Sequence, residues 1–139
     1  MQTVAPDIRF ATHSINGITL HSAEAGPTDG PLVVLLHGFP EFWYGWRHQI
    51  APLAAAGYRV VAPDQRGYNL SSRPTGRASY DLDLLADDVL GLVRGLGRRS
   101  FSLVGHDWGA TVGWWIASQQ PGTPRTFCRS GGAASCRVA

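Results

Sequence analysis

The first part of the chain alternates between apolar and polar residues. IRFATHSI at 8–15 and ITLHSAEA at 18–25 both show the period of two that is typical of half-buried β-strands. Between them lie Asn16 and Gly17, a dipeptide that readily adopts the two positive φ angles of a type I′ turn. The pattern therefore predicts a β-hairpin at the start of the chain.

Three later segments are mainly apolar, and the first of them is apolar throughout, as expected for strands that are buried on both faces. They are LVVLL at 32–36, YRVVA at 58–62 and FSLVG at 101–105. Apolar residues at helical spacing fill the stretches between and after these segments. This spacing predicts helices over residues 41–56, 80–96 and 108–120.

A hairpin followed by three strand–helix pairs predicts an α/β fold, with parallel strands in the sheet and helices on both of its faces. In such sheets, ligands bind beyond the carboxyl ends of the strands. The residues that follow each buried strand are therefore the candidates for chemistry. They are residues 37–40, 63–67 and 105–109.

Composition limits the classes of function. The chain has 139 residues, 44% of them hydrophobic, and a net charge of +2, which is too small to predict a nucleic-acid partner. The longest aliphatic run is far shorter than a membrane span, and no apolar leader follows the N-terminus, so we predict a cytoplasmic protein without membrane contact. The oligomeric state stays open.

Cysteine usage predicts neither a metal nor a cofactor. Cys128 and Cys136 have no His or acidic residue near them in sequence, so they fit neither a zinc site nor a redox motif. We expect them to be incidental, with a disulfide left open as the alternative.

The segment LVGHDWGA at 103–110 has the spacing of a sharp strand-to-helix turn. Gly105 and Gly109 lie two residues before and two residues after Asp107, where larger side chains would clash in such a turn. We therefore predict that Asp107 is held in a strained conformation at the edge of the sheet. The alternative is that Asp107 only caps the following helix.

Two further segments are HGFPEFWYGWRHQI at 37–50 and APDQRGYNLSSRP at 62–74. Together with LVGHDWGA, they resemble the α/β-hydrolase superfamily, in its epoxide hydrolase-like subgroup with Asp in place of Ser at the turn. The resemblance covers about residues 8–117 and implies the N-terminal part of that fold. It also implies that Asp107 is the nucleophile, which opens an epoxide through an alkyl-ester intermediate.

The same resemblance implies an oxyanion hole made of the backbone N–H groups of Phe39 and Trp108. It assigns supporting roles to six further residues. They are His37, Gly38, Pro40, Gly105, His106 and Gly109.

The positions of four more polar residues in the chain predict their environments. Asp64 and Arg66 are expected to stabilise the loop after the second parallel strand through local hydrogen bonds. Asp87 and Asp88 are expected to form a solvated helix face.

The substrate implied by the resemblance is a small-molecule epoxide or an alkyl halide. GHDWG also suits a haloalkane dehalogenase-like hydrolase, in which the residue at Trp108 donates its indole N–H to the leaving halide. HGFPEFWYGWRHQ favours the epoxide hydrolase interpretation.

The rest of the family's machinery is missing from this sequence. The second step needs a His base oriented by an acid, yet no His, Asp or Glu follows Asp107. The resemblance also implies a cap with two Tyr, yet the last Tyr is Tyr80, and the C-terminal strands are absent too. We therefore expect a truncated form that cannot turn over, with a catalytically inert fragment as the alternative.

Residues 121–139 depart from the family pattern, which leaves residues 1–120 as a partial α/β-hydrolase core domain. Residues 121–139 show no hydrophobic period and are rich in Arg, Gly, Ala and Ser. All 12 basic residues of the chain are Arg. Because GC-rich codons encode these residues, we expect this tail to be disordered or translated out of frame. The FSLVG strand would then have an unpaired apolar edge, and the chain would be poorly soluble.

Overall fold

The computed structural model describes residues 7–130 and 135–138, the last four through their backbone only. The strands are β1 Arg9–Ile15, β2 Ile18–Ala25, β3 Leu32–Leu36, β4 Arg59–Pro63, β5 Ser102–His106, β6 Thr126–Ser130 and β7 Ser135–Val138. The helices are α1 Arg47–Ala55, α2 Leu82–Gly95 and α3 Trp108–Gln119, with short 3₁₀ turns at Trp43–Trp46 and Arg77–Tyr80.

The described strands form one sheet in the order β1–β2–β4–β3–β5–β6–β7. The four central strands, from β4 to β6, run parallel, while β1, β2 and β7 pair antiparallel. Asn16 and Gly17 have φ angles of 50° and 81° in the β1–β2 turn, where Ile15 is opposite Ile18. The predicted fold class is therefore confirmed.

Two apolar clusters cover the two faces of the sheet, which explains why the central strands are apolar throughout. On one face α2 and α3 pack against Leu36 and Leu103. On the other face α1 packs against Leu35 and Val60 through Ile50. Within the described residues, no helix has both the length and the apolar character needed to cross a membrane.

The predicted helix over 41–56 begins later than expected, at Arg47. Residues Trp43–Trp46 form a 3₁₀ turn instead, and the backbone N–H of Trp43 donates to Oδ1 of Asp64, 2.9 Å away. Periodicity within a segment carries no information about such a contact.

The expectation that the FSLVG strand has an unpaired edge is wrong. β6 pairs with β5 in parallel, with Phe127 opposite Leu103. Phe127 is buried against α3, where its ring meets the edge of Trp114 at a centroid distance of 5.3 Å. The reason given for poor solubility is thereby removed, whereas the boundary at residue 121 and the out-of-frame origin stay predictions.

The disulfide left open by the sequence involves Cys128, which is disulfide-bonded in β6. In the antiparallel register of β6 and β7, Cys128 is opposite Cys136.

The prediction of a solvated face at residues 87–88 is wrong for Asp88. Asp88 is 3% exposed, and both of its carboxylate oxygens accept hydrogen bonds from the Arg66 guanidinium at 2.9 Å. Burial raises the pKa of the Asp88 carboxyl, and Arg66 opposes that rise. Asp64 and Arg66 do make the predicted hydrogen bonds, but Arg66 bonds to α2 as well as to the carbonyl of Ser79.

A buried carboxylate also connects the strands of the hairpin. Glu24 accepts hydrogen bonds from Nε2 of His13 at 2.7 Å and from Oγ of Ser22 at 2.6 Å. Burial raises the pKa of Glu24, but these two bonds and nearby Arg59 outweigh it, so the pKa lies below its ordinary value of 4.5.

We expect Glu24 to make the stability of the fold sensitive to acid. Because its pKa is lower in the folded chain than in the unfolded chain, its stabilisation is present above the unfolded pKa and is lost as the pH falls through the folded pKa. The thermal unfolding midpoint of the wild type should therefore fall more steeply towards acidic pH than that of Glu24→Gln. Parallel curves for the two proteins would contradict this role.

Candidate active site

The turn between β5 and α3 places Asp107 at the carboxyl edge of the sheet. Its φ of 54° and ψ of −120° lie in a region that residues other than glycine rarely adopt, as the sequence predicts for a strained turn. Asp107 occupies the N-cap position of α3, but its side chain makes no capping hydrogen bond. The carboxylate is exposed.

Three glycines allow the backbone to approach closely around this turn. A Cβ atom at Gly105 would lie 2.5 Å from the carbonyl oxygen of Gly109. A Cβ at Gly109 would overlap the carbonyl oxygen of Leu36, and one at Gly38 would overlap Cβ of Asp107. Only hydrogen fits at these positions unless the backbone moves.

Two backbone N–H groups act on the carboxylate of Asp107. The N–H of Phe39 donates to Oδ2 at 3.0 Å. This bond lowers the pKa of Asp107 most, and a hydrogen bond from the N–H of Trp108 lowers it further. Slight desolvation raises this pKa, and the nearby His106 lowers it by a smaller amount. The carboxylate is therefore ionised at neutral pH, with both predicted oxyanion donors directed at it.

His37 is buried beside the site with both ring nitrogens engaged. Its Nε2 accepts a hydrogen bond from the backbone N–H of Gln65 at 2.9 Å, so Nδ1 carries the proton and donates to the carbonyl of Gly38 at 3.0 Å. Burial lowers the pKa of His37, with partial opposition from that carbonyl and from nearby acids. A neutral ring with both nitrogens occupied supports the loop and is not placed to move a proton.

The other predicted supporting residues lie around the same edge. Pro40 is exposed next to Phe39. His106 is half exposed and points towards Glu41 and Ser130, with its Nε2 3.8 Å from Oε1 of Glu41 and its Nδ1 3.2 Å from the carbonyl of Ser130.

Sequence reasoning missed three contributors to the site, Gln65, Tyr68 and Glu41. The ring of Tyr68 meets the ring of His37 edge-on at 4.7 Å. Burial raises the pKa of Tyr68, and the Asp107 carboxylate raises it further, which places the phenol within the field of Asp107. All three belong to the motifs quoted above, but spacing alone does not indicate that Gln65 and Tyr68 contact His37 or that Glu41 lies near His106.

Asp107 lines a cleft of about 370 Å³, within the size range of small-molecule pockets. The other lining residues are His106, Ala110, Thr111, Trp114, Arg129 and Ser130. In the part of the chain that the structure describes, no group of three or more His, Cys, Asp or Glu is placed to hold a metal ion.

Comparison with known proteins identifies the family. The family model of the alpha/beta hydrolase fold matches residues 31–125, a range that includes β3 to α3 and the whole turn around Asp107. The chain belongs to the alpha/beta hydrolase family. The matched range contains all the predicted site residues.

Three relatives show how this alpha/beta hydrolase compares with longer proteins. An AB hydrolase superfamily protein of Bacillus subtilis is 61% identical over 106 residues, which are 76% of this chain and 37% of that protein. Epoxide hydrolase B of Mycobacterium tuberculosis is 52% identical over 107 residues, 76% of this chain and 30% of that one. A crystal structure of an epoxide hydrolase from Vigna radiata superposes with a TM-score of 0.85 at 44% identity, covering 90% of this chain and 40% of that chain. The chain thus spans between 30% and 40% of the length of these relatives.

Proposed function

We propose that this chain is an α/β-hydrolase of the epoxide hydrolase type, with Asp107 as the nucleophile. One observation carries the proposal. An ionised carboxylate, exposed in a cleft of about 370 Å³, receives the N–H of Phe39 at 3.0 Å. The chain is 52% and 44% identical to two proteins named epoxide hydrolase, which supports a small-molecule epoxide as the substrate class.

The first step needs no base, because the pKa of Asp107 is already low. A carboxylate oxygen attacks an epoxide carbon, the bond between that carbon and the ring oxygen breaks, and the ring oxygen takes a proton from solvent. Since Oδ2 accepts the N–H of Phe39, we expect Oδ1 to form the new bond. Oδ2 then becomes the carbonyl oxygen of the ester.

The second step is attack of water on that ester. The N–H groups of Phe39 and Trp108 would stabilise the negative charge that develops on Oδ2. The His base that the family resemblance implies after the nucleophile is missing from the 139 residues, His37 has both nitrogens occupied, and His106 is directed at Glu41 and at the carbonyl of Ser130. We therefore propose that this chain forms the ester and does not turn it over.

A haloalkane dehalogenase-like reaction is the second candidate. Trp108 follows Asp107 directly, and its side chain is 54% exposed. An exposed indole beside the nucleophile is suited to donate a hydrogen bond to a leaving halide.

The test is intact-protein mass spectrometry after incubation with propylene oxide or with 1-bromobutane. We expect one covalent adduct with the epoxide, located on Asp107 by peptide mapping and missing from Asp107→Asn. The matched control is Asp87→Asn, which changes an exposed aspartate of α2 and should leave the adduct in place.

Each alternative has its own signature in that experiment. An adduct only with the bromide would favour the dehalogenase-like reaction. No adduct with either reagent would indicate a catalytically inert chain, and diol formation over many turnovers would contradict the missing base.

We also propose that the sequence from about residue 122 is translated out of frame. Its composition supports this, as do the 12 Arg without a single Lys. Pairing of β6 does not oppose it, because one large apolar residue, Phe127, supplies the contact with α3. The idea fails if neither of the other two reading frames of the coding DNA continues into strand, cap and histidine motifs.

A further inference from the structure

We propose that Asp64 and Gln65 are positioning residues that hold both ends of the 37–43 segment, and so place the Phe39 N–H against the Asp107 carboxylate. This inference rests on the proposed function for its catalytic meaning. Its geometric content concerns one hydrogen bond, between the N–H of Phe39 and Oδ2 of Asp107.

The 37–43 segment needs such support because Phe39 does not fix itself by packing. Its side chain is 65% exposed, and Pro40 beside it is exposed as well. The only backbone hydrogen bond within residues 38–41 among those described joins the N–H of Glu41 to the carbonyl of Gly38. The position of the Phe39 N–H must therefore be set from the two ends of the segment.

Gln65 holds the first end through His37. The backbone N–H of Gln65 donates to Nε2 of His37 at 2.9 Å, and its side-chain Nε2 donates to the carbonyl of His37 at 2.7 Å. Both residues are buried, so these bonds are shielded from competition by water.

Asp64 holds the second end through the backbone of Trp43. Its Oδ1 accepts the N–H of Trp43 at 2.9 Å. Its Oδ2 accepts hydrogen bonds from Nδ1 of His21 at 2.8 Å and from Nδ2 of Asn69 at 2.9 Å. With the side chain of Asp64 fully buried and held from β2 and from its own loop, Oδ1 is a fixed acceptor.

The two holding residues are adjacent in sequence, directly after β4. The 37–43 segment follows β3, which pairs with β4 in parallel. The carboxyl ends of two neighbouring strands thus bring a loop and its support together, and the third strand, β5, presents Asp107 to that loop.

The test follows the Phe39–Asp107 contact in the full chain by NMR. We expect Asp64→Ala and Gln65→Met to shift the Phe39 amide resonance, and to move the carboxyl titration of Asp107 up towards its ordinary range. Asp64→Asn keeps an oxygen for the N–H of Trp43 and should restore most of the wild-type titration. The matched control is His13→Ala, which removes a hydrogen bond to Glu24 from β1, a strand that does not pair with β4.

A purely structural role predicts a different result. The variants would then unfold at lower temperature while the Phe39 resonance and the Asp107 titration stayed at their wild-type positions, and that outcome would overturn the proposal. The titration needs no substrate, so its result is independent of the epoxide reaction. If the wild type forms no adduct but the titration shifts as expected, the positioning is supported and only the proposed function fails.

Discussion

Replacing Asp88 with alanine is expected to lower the free energy of unfolding by about 3–5 kcal/mol, because Arg66 then stays buried without its partner. The side chains of this pair are 6% and 5% exposed, and two hydrogen bonds of 2.9 Å join them. A typical domain has about 5–15 kcal/mol in total, so the loss takes a large share of the stability. Urea denaturation followed by tryptophan fluorescence measures it.

The neighbouring residue supplies the matched control for this prediction. Asp87 is exposed, and its substitution by alanine should change the stability by no more than about 0.5 kcal/mol. The double variant Arg66→Met with Asp88→Leu removes both buried charges and should recover most of the lost stability. A similar, small effect of alanine at positions 87 and 88 would show that the ion pair contributes little.

The helical spacing of Asp88 indicates that it is buried, although its acidic neighbour Asp87 suggests a solvated face. Leu85, Asp88 and Leu92 follow at intervals of three and four, so Asp88 lies on the apolar face of α2 rather than opposite it. Its partner Arg66 lies 22 residues earlier in the chain. Helical spacing predicts where Asp88 points, but it contains nothing about which cation meets it there.

Local patterns predicted the hairpin, the apolar strands and the second and third helices, because each depends on residues close together in sequence. The 3₁₀ turn before α1 begins at Trp43, whose N–H donates to Asp64, and β6 pairs with β5 while Phe127 packs on α3. Both are contacts between distant segments. Neither contact produces a periodic pattern in the sequence.

The candidate site divides in the same way. The glycine spacing around Asp107 predicted the exposed carboxylate, and the family resemblance implied the Phe39 N–H; the structure places this N–H 3.0 Å from Oδ2 of Asp107. The sequence predicts only local hydrogen bonds for Asp64 and no separate role for its neighbour Gln65. Their contacts with the 37–43 segment arise from the parallel pairing of β3 and β4, which spacing does not describe.

The substitution Gly109→Ala is expected to affect stability and the nucleophile together. The added Cβ would overlap the carbonyl oxygen of Leu36 and approach that of His37 to 2.7 Å. Both are backbone atoms of a central strand and its end, which cannot rotate away as a side chain would. The first turn of α3 must therefore move outward, at a cost of roughly 1–3 kcal/mol.

That movement would carry the Trp108 N–H and the backbone of Asp107 away from the Phe39 loop. Because a misplacement of about 1 Å can cost on the order of 100-fold in rate, we expect Asp107 to be alkylated roughly 100-fold more slowly by propylene oxide. The rate is followed by intact mass, and the stability by urea denaturation of the same preparations.

Gly95→Ala is the matched control, because it also adds one methyl group to a helix. No atom lies within 4 Å of a Cβ at Gly95, and alanine favours helix more than glycine does, so this variant should be at least as stable as the wild type. Its alkylation rate should be unchanged. If Gly109→Ala reacts as fast as Gly95→Ala while losing stability, the close approach of α3 to β3 serves the fold alone, and the geometry of the Asp107 carboxylate does not depend on it.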